Sequence, residues 1–149
     1  MSKLIAARGA QFVMESEFVF NFDDTMVSKV ALVDGAELDF GKVNTVSTAF
    51  DIINLPAGAV ILAGSVTTET AFDAATYNVS IGDSGSATRY LGATDRKATG
   101  VTNLVPTGYR GDGENLRLTV VAADVCTTGK GTVRIQYITT GRSNEVNPN

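Results

Sequence analysis

The stretch Gly82-Asp83-Ser84-Gly85 comes closer to the residue types of a reactive site than any other part of the sequence. A serine beside glycine can act as a nucleophile when a sharp turn exposes its hydroxyl. Such a serine needs a general base, but the chain has no histidine and no lysine forms a recognisable motif with Ser84. A calcium loop would need more oxygen ligands than the residues after Asp83 supply. We therefore interpret the stretch as a turn, in which glycine and aspartate supply the unusual backbone angles.

The remaining candidate residues also favour structural roles. Cys126 is the single cysteine, so no internal disulfide can form, and without a histidine base it is predicted to be a small, partly buried side chain. Gly111-Asp112-Gly113 is predicted to be a turn and Asp95-Arg96-Lys97 a charged loop tip. Structural zinc sites require clusters of cysteine or histidine. The sequence predicts no catalytic residue, no cofactor-binding residue and no metal site, so we expect that the protein is not an enzyme.

Composition limits the classes of partner. The chain has 149 residues, a formal net charge of −4 and 44% hydrophobic residues, which suits one globular domain. Apart from Arg96-Lys97 there is no cluster of basic residues, so nucleic acid is not expected as a partner. The first fourteen residues lack the apolar core of a signal peptide. The longest apolar run, residues 55–66, is too short to cross a bilayer. We expect a soluble protein without a membrane partner.

Hydrophobic side chains alternate with a period of two along most of the chain, which predicts β-strands. Thr, Val, Ile and Tyr are abundant in these runs and favour strands because they pack well on a pleated surface. Helix signals are weak. Many short strands separated by turn residues indicate an all-β sandwich or barrel. The predicted strands are 18–22, 29–33, 37–40, 49–55, 59–66 with an extension towards residue 70, 76–81, 89–91, 115–121 and 132–140.

The two ends of the chain differ from its middle. Residues 1–17 carry Lys3 and Arg8 beside scattered apolar side chains, which favours an extended N-terminal arm that orders on a partner. Residues 142–149 are mostly polar and are predicted to be a tail. No linker interrupts the middle of the chain, so residues 18–141 are predicted to form a single β-sandwich domain.

Several segments together resemble a known group of viral proteins. The run from Asp51 through the LPAGA motif of residues 55–59, the SIGD motif of residues 80–83 and the RYL motif of residues 89–91 are similar to those of small β-sandwich proteins encoded near the capsid genes of tailed bacteriophages. Residues 131–137 resemble the last strand of those proteins. This resemblance covers about residues 46–141 and implies a jelly-roll-like cement or decoration protein. Proteins of this kind sit as trimers on the outside of the head and clamp neighbouring subunits.

The resemblance implies specific partners and locations. The expected partners are the major capsid protein and further copies of the same chain, as a homotrimer. The expected location is the exterior of the virion capsid, after synthesis in the host cytoplasm. The turn at Asp83, Ser84, Arg89 and Tyr90 is expected to face a neighbouring subunit. The residues of the arm expected to contact the capsid are Lys3, Leu4, Ile5, Arg8 and Phe12.

Two alternatives stay open at this point. A head or tail fibre module would bind cell-surface glycan, and Tyr90 and Tyr109 are then the aromatic residues near loops, although the chain has no tryptophan. A hydrolase would use Ser84, and the absence of histidine is the main argument against it.

Overall fold

The computed structural model describes residues 12–29, 37–42 and 47–139. Within these residues the chain forms eleven strands and no helix. The strands are β1 (Met14–Asn21), β2 (Thr25–Val27), β3 (Glu37–Asp39), β4 (Thr48–Ile53), β5 (Ala57–Thr70), β6 (Thr76–Gly82), β7 (Leu91–Asp95), β8 (Gly100–Asn103), β9 (Arg110–Asp112), β10 (Leu116–Ala123) and β11 (Lys130–Thr139).

The strands build two antiparallel sheets that face each other. One sheet has the order β1-β11-β5-β8, with the short β9 also paired to β5, and the other has the order β4-β10-β6-β7. A small third sheet joins β2 to β3. The chain crosses between the two main sheets at most of its connections, which is the strand order of a jelly roll. The predicted all-β antiparallel sandwich is confirmed.

The alternation seen in the sequence sets the inner faces of the sheets. In β1, Phe18 and Phe20 point into the core while Glu15, Glu17 and Val19 are exposed. In the central strands of the second sheet the inward residues are almost wholly buried, among them Tyr77, Val79, Ile81, Leu116, Leu118 and Val120. Alternate side chains of a strand point to opposite faces, so this pattern fixes which face of each strand is buried.

Aromatic rings form the centre of one half of the core. The ring of Phe72 stacks on that of Tyr77, with centroids 4.0 Å apart and planes at 3°. The ring centroid of Phe20 lies 5.7 Å from that of Phe72 and 5.1 Å from that of Phe40. The centroids of Phe40 and Phe50 are 4.4 Å apart. All five rings are almost completely buried. Because each aromatic ring buries a large apolar area, this cluster is a major source of stability.

Tyr77 adds one polar contact to this aromatic cluster. Its hydroxyl donates a hydrogen bond of 2.8 Å to the carbonyl oxygen of Phe40, which follows β3. Burial strongly raises the pKa of the Tyr77 hydroxyl, so it stays protonated and remains a donor. The bond ties the β2–β3 region to the second sheet.

We expect Tyr77→Phe to lower the free energy of unfolding by about 1–2 kcal/mol, because it leaves the buried Phe40 carbonyl without this donor. Urea unfolding monitored by circular dichroism would measure the change. Tyr137→Phe is the matched control, since Tyr137 is only half-buried at the rim of the core. An equal loss in both variants would contradict a specific role for the Tyr77 hydroxyl.

The strands differ from the sequence prediction in several places. β1 begins at Met14, so residues 14–17, which the sequence analysis assigned to the arm, pair with β11. Strand β7 begins only at Leu91, because Arg89 and Tyr90 belong to the turn that precedes it. The strands β2, β8 and β9 were not predicted. Lys29 lies in a bend, and residues 30–33 of the same predicted strand lie outside the described residues.

Candidate functional site

The turn between β6 and β7 contains a connected set of polar contacts. Strand β6 ends at Gly82, and two backbone hydrogen bonds fold the turn: Asp83 N–H donates to the Ser86 carbonyl at 2.9 Å, and Tyr90 N–H donates to the Ile81 carbonyl at 3.0 Å. A Cβ on Gly82 would lie 2.0 Å from the Ser86 oxygen, so the turn needs glycine there. The stretch quoted first in the sequence analysis is a turn that ends a strand, as predicted.

The carboxylate of Asp83 holds this turn together. Its Oδ1 accepts hydrogen bonds from the N–H groups of Gly85 and Ser86, both at 2.9 Å. Arg89 Nε donates to Oδ2 at 2.5 Å, and a second Arg89 nitrogen donates to Oδ1 at 3.2 Å. Burial opposes ionisation, but the hydrogen bonds from Arg89, Ser86 and Gly85 outweigh it and lower the pKa of Asp83. The ionised carboxylate is therefore the stable form.

Arg89 extends the contacts of Asp83 to a second loop. Its guanidinium lies over the ring of Tyr109, 3.6 Å from the ring centroid. The Tyr109 hydroxyl donates to Glu114 Oε1 at 2.9 Å, and the other oxygen of Glu114 accepts from the Asp112 N–H at 2.6 Å. We call the four side chains Asp83, Arg89, Tyr109 and Glu114 the Asp83 network. It connects the β6–β7 turn with the loop around β9 through charge-assisted and cation–π contacts.

The pKa shifts within the Asp83 network follow these hydrogen bonds. The pKa of Glu114 is lowered, chiefly by its own N–H and then by the Tyr109 hydroxyl and the Asp112 N–H. The hydrogen bond to Glu114 raises the pKa of Tyr109. The hydrogen bond to Asp83 raises the pKa of Arg89. All four groups thus keep their ordinary charge states near neutral pH, which suits a rigid connection rather than proton transfer.

A very small cavity adjoins the Asp83 network. It has a volume of about 10 Å³, and Pro56, Asp83, Tyr90 and Tyr109 are among its lining residues. A space of this size holds at most one water molecule. Tyr90 is only 5% exposed, and Arg89 covers one face of the Tyr109 ring. The two tyrosines of the glycan alternative therefore do not form an open aromatic platform.

The described residues offer no activated nucleophile or metal cluster. Ser84 is exposed, and the neighbouring Asp83 carboxylate is taken up by Arg89 and two backbone N–H groups. Cys126 is buried, and burial raises the pKa of its thiol, which disfavours the reactive thiolate. In the described part of the chain no three His, Cys, Asp or Glu side chains group as metal ligands. Nor do the described residues include a helix that could span a membrane.

The residues predicted to contact partners fall into three groups. Lys3, Leu4, Ile5 and Arg8 lie outside the described residues. Phe12, at the start of the described chain, is 86% exposed. In the predicted subunit-contact turn, Ser84 is exposed and Arg89 is partly exposed, whereas Asp83 and Tyr90 are buried. The buried pair shapes the turn, so a neighbour would touch mainly the other two residues.

The sequence analysis did not identify the outer face of the first sheet, which carries a groove of about 420 Å³. Two cross-strand pairs form one wall: Arg134 donates to Glu17 at 2.8 Å, and Gln136 donates to Glu15 at 2.8 Å. The floor includes the small residues Ala63, Gly64 and Ser65 of β5, and Asn103 of β8 also lines it. The alternation of polar outward residues along β11 was the available signal. A face of this polarity suits a wet protein–protein contact.

Comparison with known proteins places the fold among virus structures. No protein-family model matches the chain, and no curated protein matches it. Among solved structures, a chain in the capsid asymmetric unit of cyanophage Pam1 matches with a TM-score of 0.60 and 22% identity, covering 92% of this chain and 93% of that one. A chain in the acidic stable capsid structure of Helicobacter pylori bacteriophage KHP30 matches with a TM-score of 0.56 and 17% identity, covering 85% and 86%. At these identities the similarity establishes that the sandwich fold occurs over nearly the full length of chains in phage capsid structures.

Proposed function

We propose that this protein is a structural component of a tailed-phage virion, which binds the outer surface of the capsid and stabilises contacts between major capsid protein subunits. The observation that carries the proposal is the fold similarity, which spans 92% of this chain and 93% of a chain in the Pam1 capsid asymmetric unit. A jelly-roll sandwich is a rigid body, and the Asp83 network fixes two of its loops to each other. Rigidity and complementary surfaces are what a cement protein needs.

The proposed contact with the capsid is the N-terminal segment, which leads into β1. Phe12 is almost fully exposed and lies directly before the edge strand of the first sheet. A large exposed aromatic side chain of this kind is typical of residues that become buried in an interface. The proposal assigns Lys3, Leu4, Ile5 and Arg8 to the same contact. It also includes a homotrimer, with Ser84 and Arg89 near a neighbouring copy.

Cosedimentation with undecorated phage heads tests this proposal. We expect the full-length protein to bind saturably, and we expect Phe12→Ser to weaken binding by about ten-fold or more, because a buried phenylalanine contributes about 1.5–3 kcal/mol. A deletion of residues 2–11 leaves β1 intact and should weaken binding further.

Two controls make the result specific. Val101→Ser removes another strongly exposed apolar side chain, in β8, and should leave binding unchanged. A deletion of residues 142–149 removes a terminal segment of similar size from the other end. Absence of saturable binding by the full-length protein to heads that lack this component would refute the proposed function. Equal losses for Phe12→Ser and Val101→Ser would refute the assignment of the contact to the N-terminal segment.

A further inference from the structure

Arg96, in the loop after β7, is a buried cation that forms no ion pair with the described residues. It is only 5% exposed. Its Nη2 donates a hydrogen bond of 2.7 Å to Thr102 Oγ1, whereas its buried Nε has no acceptor among the described residues. Burial lowers the pKa of Arg96, but an arginine still keeps its charge at neutral pH. Because a buried charge without a counter-ion is unfavourable, this guanidinium is short of an anionic acceptor.

Backbone hydrogen bonds fix the position of Arg96. Its N–H donates to the Tyr77 carbonyl at 2.9 Å, and its carbonyl accepts from the Phe72 N–H at 3.2 Å. The residue follows β7, which is the edge strand of one sheet, and its side chain reaches Thr102 of β8, which is the edge strand of the other. The guanidinium is therefore held at the edge where the two sheets meet.

The acidic side chains of the neighbouring segments are engaged elsewhere. Asp95 Oδ1 accepts from the N–H of Lys97 at 2.9 Å. Asp73 Oδ1 accepts from two backbone N–H groups of the loop before β11, at 2.7 and 3.1 Å. Glu69 forms an ion pair with Lys130 at 3.0 Å. These carboxylates therefore do not hydrogen-bond to the Arg96 guanidinium.

The inner face of β5 carries a second polar group without a partner at this edge. Thr68 is 2% exposed, and its Oγ1 has no hydrogen-bond partner among the described residues. Thr68 pairs with Gly100 and Val66 pairs with Thr102, so the two threonines are diagonal neighbours on one face. No atom lies within 4 Å of a Cβ added to Gly100, so the position opposite Thr68 is open. Residues 97–100 are exposed, which gives access from solvent.

We propose that Arg96, Thr68 and Thr102 form a binding site for one small inorganic anion. The anion accepts hydrogen bonds from Arg96 Nε and from the Thr68 hydroxyl, and it neutralises the buried charge. Thr102 keeps its bond from Arg96 and can turn its own hydroxyl proton towards the anion. Because Arg96 follows a strand of one sheet and both threonines belong to the other, the anion joins the two sheets. This inference does not depend on binding to a capsid.

Side-chain NMR of the full-length ¹⁵N-labelled protein tests the proposal. Sodium chloride and sodium phosphate are titrated separately, with the ionic strength held constant by sodium gluconate, whose anion is bulky. We expect the Nε–Hε cross-peak of Arg96 to move saturably with at least one of the two small anions, together with the backbone amides of Thr68 and Thr102. The cross-peak of Arg110, an exposed arginine in β9, should stay in place. The Tm should rise with the same anion, because the site exists only in the folded state.

Two threonine variants make the result specific. Thr68→Val removes the unpartnered hydroxyl and keeps a side chain of similar shape, so the protein should fold while its affinity for the anion falls about ten-fold. Thr67→Val, at the next position on the opposite face of β5, should leave the affinity unchanged. Absence of saturable movement at Arg96 with either anion would overturn the proposal, and so would equal movement at Arg96 and Arg110. An unchanged affinity in Thr68→Val would overturn it as well.

Discussion

Replacing Gly129 with alanine is expected to lower the free energy of unfolding by about 2–5 kcal/mol. A Cβ at this position would lie 2.1 Å from the Phe72 ring. Neighbouring rings confine the Phe72 ring, because its centroid lies 4.0 Å from that of Tyr77 and 5.7 Å from that of Phe20. Gly129 also has a φ of 150°, which L-residues with a side chain rarely adopt. Overpacking and backbone strain therefore act together.

Two glycine controls separate these causes. Gly100 has a similar φ of 154°, and no atom lies within 4 Å of a Cβ added there. The loss of unfolding free energy in Gly100→Ala therefore measures the backbone strain alone. Gly92→Ala, with open space and no unusual φ, should change stability by less than about 0.5 kcal/mol. Urea unfolding of the three variants gives the comparison. If Gly129→Ala were no worse than Gly100→Ala, the tight packing of the aromatic cluster against this glycine would be disproved.

Removing the Asp83 carboxylate is the second change with a large expected effect. Asp83→Ala leaves two turn N–H groups and the Arg89 guanidinium without their acceptor, and Asp83 is only 5% exposed. Breaking a buried pair in this way costs about 3–5 kcal/mol, and partial exposure of Arg89 reduces the figure to about 2–4 kcal/mol. Ser84→Ala is the matched control in the same turn and should lose less than about 0.5 kcal/mol.

The effect of Asp83→Ala should depend on pH. The pKa of Asp83 is lowered by folding, so its ionised form stabilises the native state above the unfolded-state value near 3.8. This stabilisation is lost as the pH falls from there through the lower folded-state pKa. The difference in unfolding free energy between wild type and Asp83→Ala should therefore be constant from about pH 5 to about pH 7 and should shrink below about pH 4. A difference that stayed constant down to about pH 2 would show that the carboxylate charge is not what holds the turn.

Strands with a regular apolar inward face could be predicted from the sequence, whereas most of the short strands without one could not. In β10 and β6 the inward residues are apolar, so the period-two alternation of side chains can be recognised in the sequence. The strands β8 and β9 are three or four residues long, lie at exposed positions beside β5 and contain no buried residue, so no period of two marks them. The first half of β1 was missed for a similar reason, since its outward residues are Glu15 and Glu17 and its inward Ser16 is polar.

The turn at Asp83 was predictable, but the contacts it makes were not. Glycine and aspartate at a strand end indicate a turn whatever lies around them. The contact of Arg89 with Tyr109 joins residues on two different loops, and it depends on how the β6–β7 turn lies against the loop before β9. Such positions are set by packing of the whole sandwich, and no local pattern encodes them.

The pairing of β1 with β11 has a mechanical consequence. Met14 pairs with Tyr137 and Asn21 with Lys130, so the two chain ends leave the same end of the first sheet side by side. Tension between the two termini would separate the paired residues of β1 and β11 one pair at a time, beginning at Met14. Tension between the N-terminal segment and the opposite end of the body would instead load all eight pairs in shear. If the protein attaches to a capsid through its first strand, as proposed, the attachment resists expansion of the shell best when the second anchor lies at the end of the sandwich near Asn21 and Lys130.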